Sequence, residues 1–168
     1  ELGGNAPAIV FPDADLEAAS SAAASGSLKY AGQRCSAVSR VLVHEDAHDE
    51  LVDRIDAEME GFEPGDLFDE ETSLGPLISH EQAEWVEELV EDALDRGATL
   101  VRGGSRSVRF FDPTLLADVP PHARLFHEEQ FGPVVAFTPF HHDPFALSVP
   151  YRCSLRLPAA LFPPSFLP

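Results

Sequence analysis

The sequence predicts an α/β fold with an open, largely parallel sheet and flanking helices. Two observations carry this expectation. Val38, Val41, Leu42 and Val43 place apolar residues on both faces of one short segment, as in a strand covered on both sides within a parallel sheet. Strand-like runs also alternate with helical ones: Ala8–Phe11 precedes an alanine-rich stretch, and the 38–43 run precedes a segment of helical period.

Taken in order, Ala8–Phe11 is apolar and β-branched enough to be a strand, and Asp13 or Asp15 can cap a helix from Leu16 to Ser25. Gly26 and Ser27 are expected to loosen that helix before Gly32-Gln33-Arg34-Cys35. Asp46–Met59 carries Leu51, Val52, Ile55 and Met59 on one stripe and stops near Gly61. Residues 61–78 read as loop from their Gly, Pro and acidic content. Ser79 with Gln82 predicts a capping box for a helix ending at Gly97, with Ala83, Val86, Leu89, Val90, Ala93 and Leu94 on its buried face. Trp85 lies off the centre of that face and reads as cover for a neighbouring segment or another domain. Thr99–Val101 and Ser107–Phe111 are candidate strands around Gly103-Gly104, and Pro120-Pro121 mark a turn. His122 and His127 are expected to flank the next strand, and neither has a partner at metal-ligand spacing, so no metal site is expected. Glu128–Pro133 then leads into a strand over Val134–Phe137.

Asp and Glu total 29 against 11 Lys and Arg, a formal net charge of −18 in 168 residues. Such a surface repels phosphate, which argues against nucleic acid and anionic membranes as partners. One lysine, Lys29, is present, and the acidic, lysine-poor balance fits a protein from a high-salt cytoplasm as well as an ordinary solvated surface. Glu81, Glu84, Glu87, Glu88 and Glu91 follow a helix face and read as solvated rather than as ligands. No run of about 18 apolar residues occurs, so no membrane span is expected, and nothing at the start resembles a signal peptide. Two cysteines, Cys35 and Cys153, give no disulfide framework and fit a reducing cytosol.

Cys35, behind Gly32 and Gln33, is placed to act as a nucleophile if it is held as thiolate, with Glu1 the candidate carboxylate at the other end of the frame. A small buried hydrophobe is the alternative reading of the same cysteine. Four blocks in order lift the first reading: ELGG from Glu1, Ala14-Asp15-Leu16, GQRC at Gly32–Cys35, and EEQFGPV at Glu128–Val134. Together, over residues from Glu1 to about Phe140, they resemble the aldehyde dehydrogenase superfamily.

The resemblance implies an NAD- or NADP-dependent oxidation of a small-molecule aldehyde to a carboxylic acid. Cys35 matches the nucleophile that forms a thiohemiacetal and then a thioester; Glu1 matches the general base that activates the hydrolytic water. Glu129 matches the carboxylate that holds the nicotinamide ribose, Phe131 the aromatic beside the nicotinamide, and Gly3 a glycine lying against it. The family's cofactor domain lies mostly before the ELGG block, so the chain reads as part of a catalytic domain with the cofactor domain mostly absent, from a full-length parent that is homo-oligomeric and cytoplasmic. A catalytically inactive fragment is the alternative. A papain-like hydrolase would need a histidine base, and His44 and His48 carry no such signature. A CoA-acylating variant is disfavoured by Glu1. From about His141 to Pro168 the composition turns proline-rich and apolar, which reads as a non-family tail from a changed reading frame, or as natural divergence, and is expected to be poorly ordered.

Overall fold

The computed structural model describes residues 3–142, 144–146, 148 and 160–162. Its centre is a six-stranded sheet in the order β3-β6-β7-β2-β1-β8. The strands are β1 (Ala6–Val10), β2 (Val38–His44), β3 (Thr99–Arg102), β6 (Thr114–Ala117), β7 (Val134–Phe140) and β8 (Ala160–Phe162). Every pairing is parallel except β3 with β6. A separate hairpin joins β4 (Arg106–Ser107) to β5 (Phe110–Phe111).

The pattern of β2 explains its central place. Val41 and Val43 face one core with Ala8 and Val10, whereas Leu42 and Ile9 face a second with Phe126 and Phe140. Both sets are buried, as a strand with apolar residues on both faces requires. Helices α1 (Leu16–Leu28), α2 (Glu45–Met59) and α3 (His80–Asp95) contribute their apolar faces to the first core.

Asp15 starts α1, its Oδ1 accepting from the amides of Glu17 and Ala18 at 3.1 Å each. The loosening expected at Gly26–Ser27 does not occur, and α1 runs on to Leu28. The cause is tertiary: a Cβ on Gly26 would lie 2.8 Å from Val38 Cγ2, so the bare backbone lets the helix close on β2. Ser27 Oγ then donates to the Val38 carbonyl at 2.7 Å. The capping box at α3 is half formed. Ser79 Oγ accepts from the Gln82 amide at 3.1 Å, but the Gln82 side chain points elsewhere.

Other expectations shift. The segment Ser107–Phe111 is a hairpin turning at Val108, not one strand. The segment between His122 and His127 is a short helix, α4 (Arg124–His127), not a strand. The acidic face of α3 is not wholly solvated, since Glu87 Oε2 accepts from Arg106 Nε at 2.6 Å. Within the proline-rich tail, Ala160–Phe162 form a regular edge strand beside β1, contrary to the expected lack of order there; this triplet contains no proline. Glu1, Cys153 and most of that tail lie outside the described residues. Among the described residues, no helix is long and apolar enough to cross a membrane, and no cluster of three or more His, Cys, Asp or Glu could hold a metal.

Asp92 links α3 to α4, its Oδ2 accepting from the Arg124 amide and from Arg96 Nε, both at 2.8 Å. Burial pushes this carboxyl up, but the hydrogen bonds from the Arg124 amide and Arg96, with the charges of both arginines, outweigh it and hold it below the usual range. A depressed carboxyl contributes stability above its unfolded pKa of about 4, and that stability is lost as pH falls through the folded value. The stability difference between the parent protein and Asp92→Asn, read from urea midpoints, is therefore expected to shrink from pH 5 to pH 3. A constant difference over that range contradicts the linkage.

Candidate active site

Gly3 and Gly4 of the ELGG block meet the GQRC and EEQF blocks at the amino ends of β1, β2 and β7. This edge is opposite to the carboxyl edge at which open parallel sheets usually bind ligands.

The GQRC loop follows an unusual exit from α1. Tyr30 and Ala31 have φ of 59° and 54°, and Gly32 has 70°. For Tyr and Ala this left-handed backbone costs about 1–2 kcal/mol each, so the surroundings must hold it. Gln33 does part of this: its Oε1 accepts from the Ile78 amide at 2.7 Å, fastening the loop to the Gly75-Pro76-Leu77-Ile78 segment. Arg34 Nη2 donates to the Gly26 carbonyl at 2.7 Å, tying the loop back to α1. Cys35 emerges as a half-buried free thiol three residues before β2.

Glu129 and the glycines are brought together across 125 residues. The Gly4 amide donates to Glu129 Oε1 at 2.7 Å, and Gly3 beside it has φ of 81°. Phe131, half-buried, is itself left-handed at φ 46°. Gly132 packs directly on Gly32: a Cβ on Gly32 would lie 2.6 Å from the Gly132 carbonyl carbon. The Cys35 loop and the Glu129 turn are therefore in backbone contact. Of the five candidate residues, Gly3, Cys35, Glu129 and Phe131 lie on these adjoining loops.

Sequence reasoning missed the supports of this edge. Arg40, inside β2 and 2% exposed, donates to the carbonyls of Asn5 and Phe126 at 2.8 Å each, joining the residue after Gly4 to α4. The available signal was an arginine interrupting an apolar strand. Trp85 does cover a neighbouring segment: its Nε1 donates to the Glu129 carbonyl at 3.0 Å. His44 lies at the far end of β2, about 20 Å along a seven-residue strand from the Cys35 edge, and His48 follows it in α2, so neither can serve as a base for the thiol.

Comparisons with known proteins bear on the family and the fold. The model of the Aldehyde dehydrogenase family matches residues 1–162, beyond the point near Phe140 where the resemblance was read to end. An NADP(+) succinate-semialdehyde dehydrogenase of Deinococcus radiodurans is 41% identical over 165 residues, covering 96% of this chain and 35% of that protein. A non-phosphorylating aspartate-semialdehyde dehydrogenase of Halomonas elongata is 44% identical over 146 residues, covering 85% of this chain and 30% of that protein. Among solved structures, the NADP-dependent glyceraldehyde-3-phosphate dehydrogenase of Bacillus halodurans C-125, complexed with NADP, superposes with a TM-score of 0.94 at 38% identity, covering 98% of this chain and 34% of that one. The chain thus spans about a third of the length of the relatives it matches. With the family model covering nearly all of its residues, the chain belongs to the aldehyde dehydrogenase family.

Proposed function

We propose that a polypeptide of the relatives' full length carrying this segment oxidises an aldehyde to a carboxylic acid with NAD+ or NADP+, and that this segment provides the nucleophile and the nicotinamide-side contacts. The observation that carries the reading is the Gly4–Glu129 hydrogen bond beside the Gly32–Gly132 contact, which unites all three blocks.

The residues present fit a nicotinamide nucleotide. Glu129 offers carboxylate acceptors for ribose hydroxyls, side-chain-free backbone at Gly3 and Gly4 admits close approach, and Phe131 offers an aromatic face. Bound NAD(P)+ supplies the hydride acceptor. The chain's own work centres on Cys35. Its thiolate adds to the carbonyl carbon, forming a C–S bond while the π electrons move to oxygen. The Cys35 amide is a candidate donor to that oxyanion. Loss of hydride leaves a thioester on Cys35, and Glu1 accepts a proton from the water that attacks it. The C–S bond then breaks, releasing the acid and the thiolate.

This assigns separate steps to Cys35 and Glu1. In the full-length protein, with succinate semialdehyde as the trial substrate, Glu1→Gln is expected to give one burst of NAD(P)H per site and then to stall. Normal steady turnover would remove Glu1 from the mechanism. A second reading, a folded but inactive chain, applies to the 168 residues on their own and is favoured by their covering only a third of the relatives' length.

A further inference from the structure

We propose that Trp85, with Gln82, is a positioning residue for cofactor binding, acting through the backbone of the Glu129 turn. Gln82, Trp85 and Val86 stand at i, i+3 and i+4 of α3 and so share one helical face. That face grips four consecutive residues. Trp85 Nε1 donates to the Glu129 carbonyl at 3.0 Å, and Gln82 Nε2 to the Gln130 and Phe131 carbonyls at 2.9 and 3.3 Å. Val86 lies so close that a Cβ on Gly132 would fall 3.2 Å from Val86 Cγ1 and nearer still to its Cγ2.

The turn needs such a grip. Phe131 is held at φ 46°, a conformation that a bulky L-residue does not keep unaided. The carbonyls of an irregular, half-buried turn also need donors, and α3 supplies them from side chains. Trp85 is fixed in its own place by Arg124, whose guanidinium lies 4.9 Å from the indole ring and whose Nε donates to Glu128 Oε1 at 2.9 Å. The Glu129 residue is thus held at both its carboxylate and its backbone. Gly4 holds the oxygen, and Trp85 holds the peptide from which the side chain springs.

The inference rests on the reading of Glu129 as the ribose carboxylate. Its test uses the full-length protein and four variants: Trp85→Phe, Gln82→Met, the double change, and Glu129→Gln. Trp85→Phe keeps an aromatic ring beside Arg124 and removes the N–H along with part of the indole. Two quantities are measured: equilibrium binding of NADPH and NADH by nicotinamide fluorescence, and acylation of the thiol by p-nitrophenyl acetate without cofactor.

Trp85→Phe is expected to weaken binding about fivefold, the size of one net hydrogen bond, and the double change to weaken it further, with acylation rates within about twofold of the parent. Parent-like binding in Trp85→Phe and the double variant, alongside weakened binding in Glu129→Gln, overturns the positioning role and leaves the ribose reading intact. Parent-like binding in Glu129→Gln overturns the ribose reading and the inference with it. Equal losses of binding and acylation in Trp85→Phe assign the residue a purely structural role and also overturn the inference.

Discussion

Cys35→Ala in the full-length protein is expected to lose aldehyde-dependent NAD(P)H formation by about 10⁴-fold or more, the scale seen when a covalent nucleophile is removed. The reaction splits into two steps only because sulfur both adds to the carbonyl and leaves as thiolate, and alanine can do neither. Cys35→Ser tests the same point with an oxygen of similar size. Serine's hydroxyl is far less ionised near neutral pH, so it too is expected to be nearly inactive. Removing one half-buried sulfur is expected to cost about 1 kcal/mol of stability or less, so loss of activity without loss of fold is the expected signature. NADPH or NADH binding serves as the internal control, since the Glu129 turn is held by α3 and by Gly4 rather than by the thiol. Bound cofactor with no oxidation and no acylation by p-nitrophenyl acetate supports Cys35 as the nucleophile. Oxidation near the parent rate in either variant removes it.

What the sequence made legible follows the range of the forces involved. The strand β2 was readable because burial on both faces leaves a local, continuous apolar run. The helices α2 and α3 were readable because one-sided burial leaves a helical period. The site blocks were readable because they resemble a family pattern, and the structure gathers Gly3, Cys35, Glu129 and Phe131 onto neighbouring loops.

The misreadings share a different cause. Gly26 looks like a helix breaker until β2 stands against it, and its missing Cβ then becomes the reason α1 continues. Gln82 has the spacing of a capping box, but two carbonyls 48 and 49 residues away take its amide. Arg40 signalled itself only as a charge in an apolar strand, and Trp85 was legible as cover but not by its partner, since the partners of both come from distant segments. The left-handed run at Tyr30 and Ala31 was equally hidden, because neither residue type announces positive φ. Local chemistry was legible, and side chains recruited by tertiary neighbours were not.

Gly32→Ala is expected to damage the site by a different route from loss of the thiol, with a smaller loss of activity but a larger loss of stability. At φ 70° an alanine carries about 1–2 kcal/mol of backbone strain. Its Cβ would also lie 2.6 Å from the Gly132 carbonyl carbon and 2.9 Å from the Ser27 carbonyl oxygen. These are backbone atoms, and they cannot rotate away as a flexible side chain would. Relief requires the Cys35 loop to separate from the Glu129 turn, so thiol acylation and cofactor binding should fail together, with oxidation reduced about 100-fold or more and several kcal/mol of stability lost. Gly97→Ala is the control, because Gly97 has φ 106° but nothing within 4 Å of an added Cβ. It carries the conformational strain without the collision, so it is expected to cost about 1 kcal/mol of stability and to leave the kinetics unchanged. If Gly32→Ala behaves like Gly97→Ala, the two loops do not depend on close backbone contact, and the nucleophile and cofactor contacts are assembled independently. If it fails as expected while Gly97→Ala does not, close backbone packing at Gly32, against Gly132 and Ser27, is what holds Cys35 in register with Glu129.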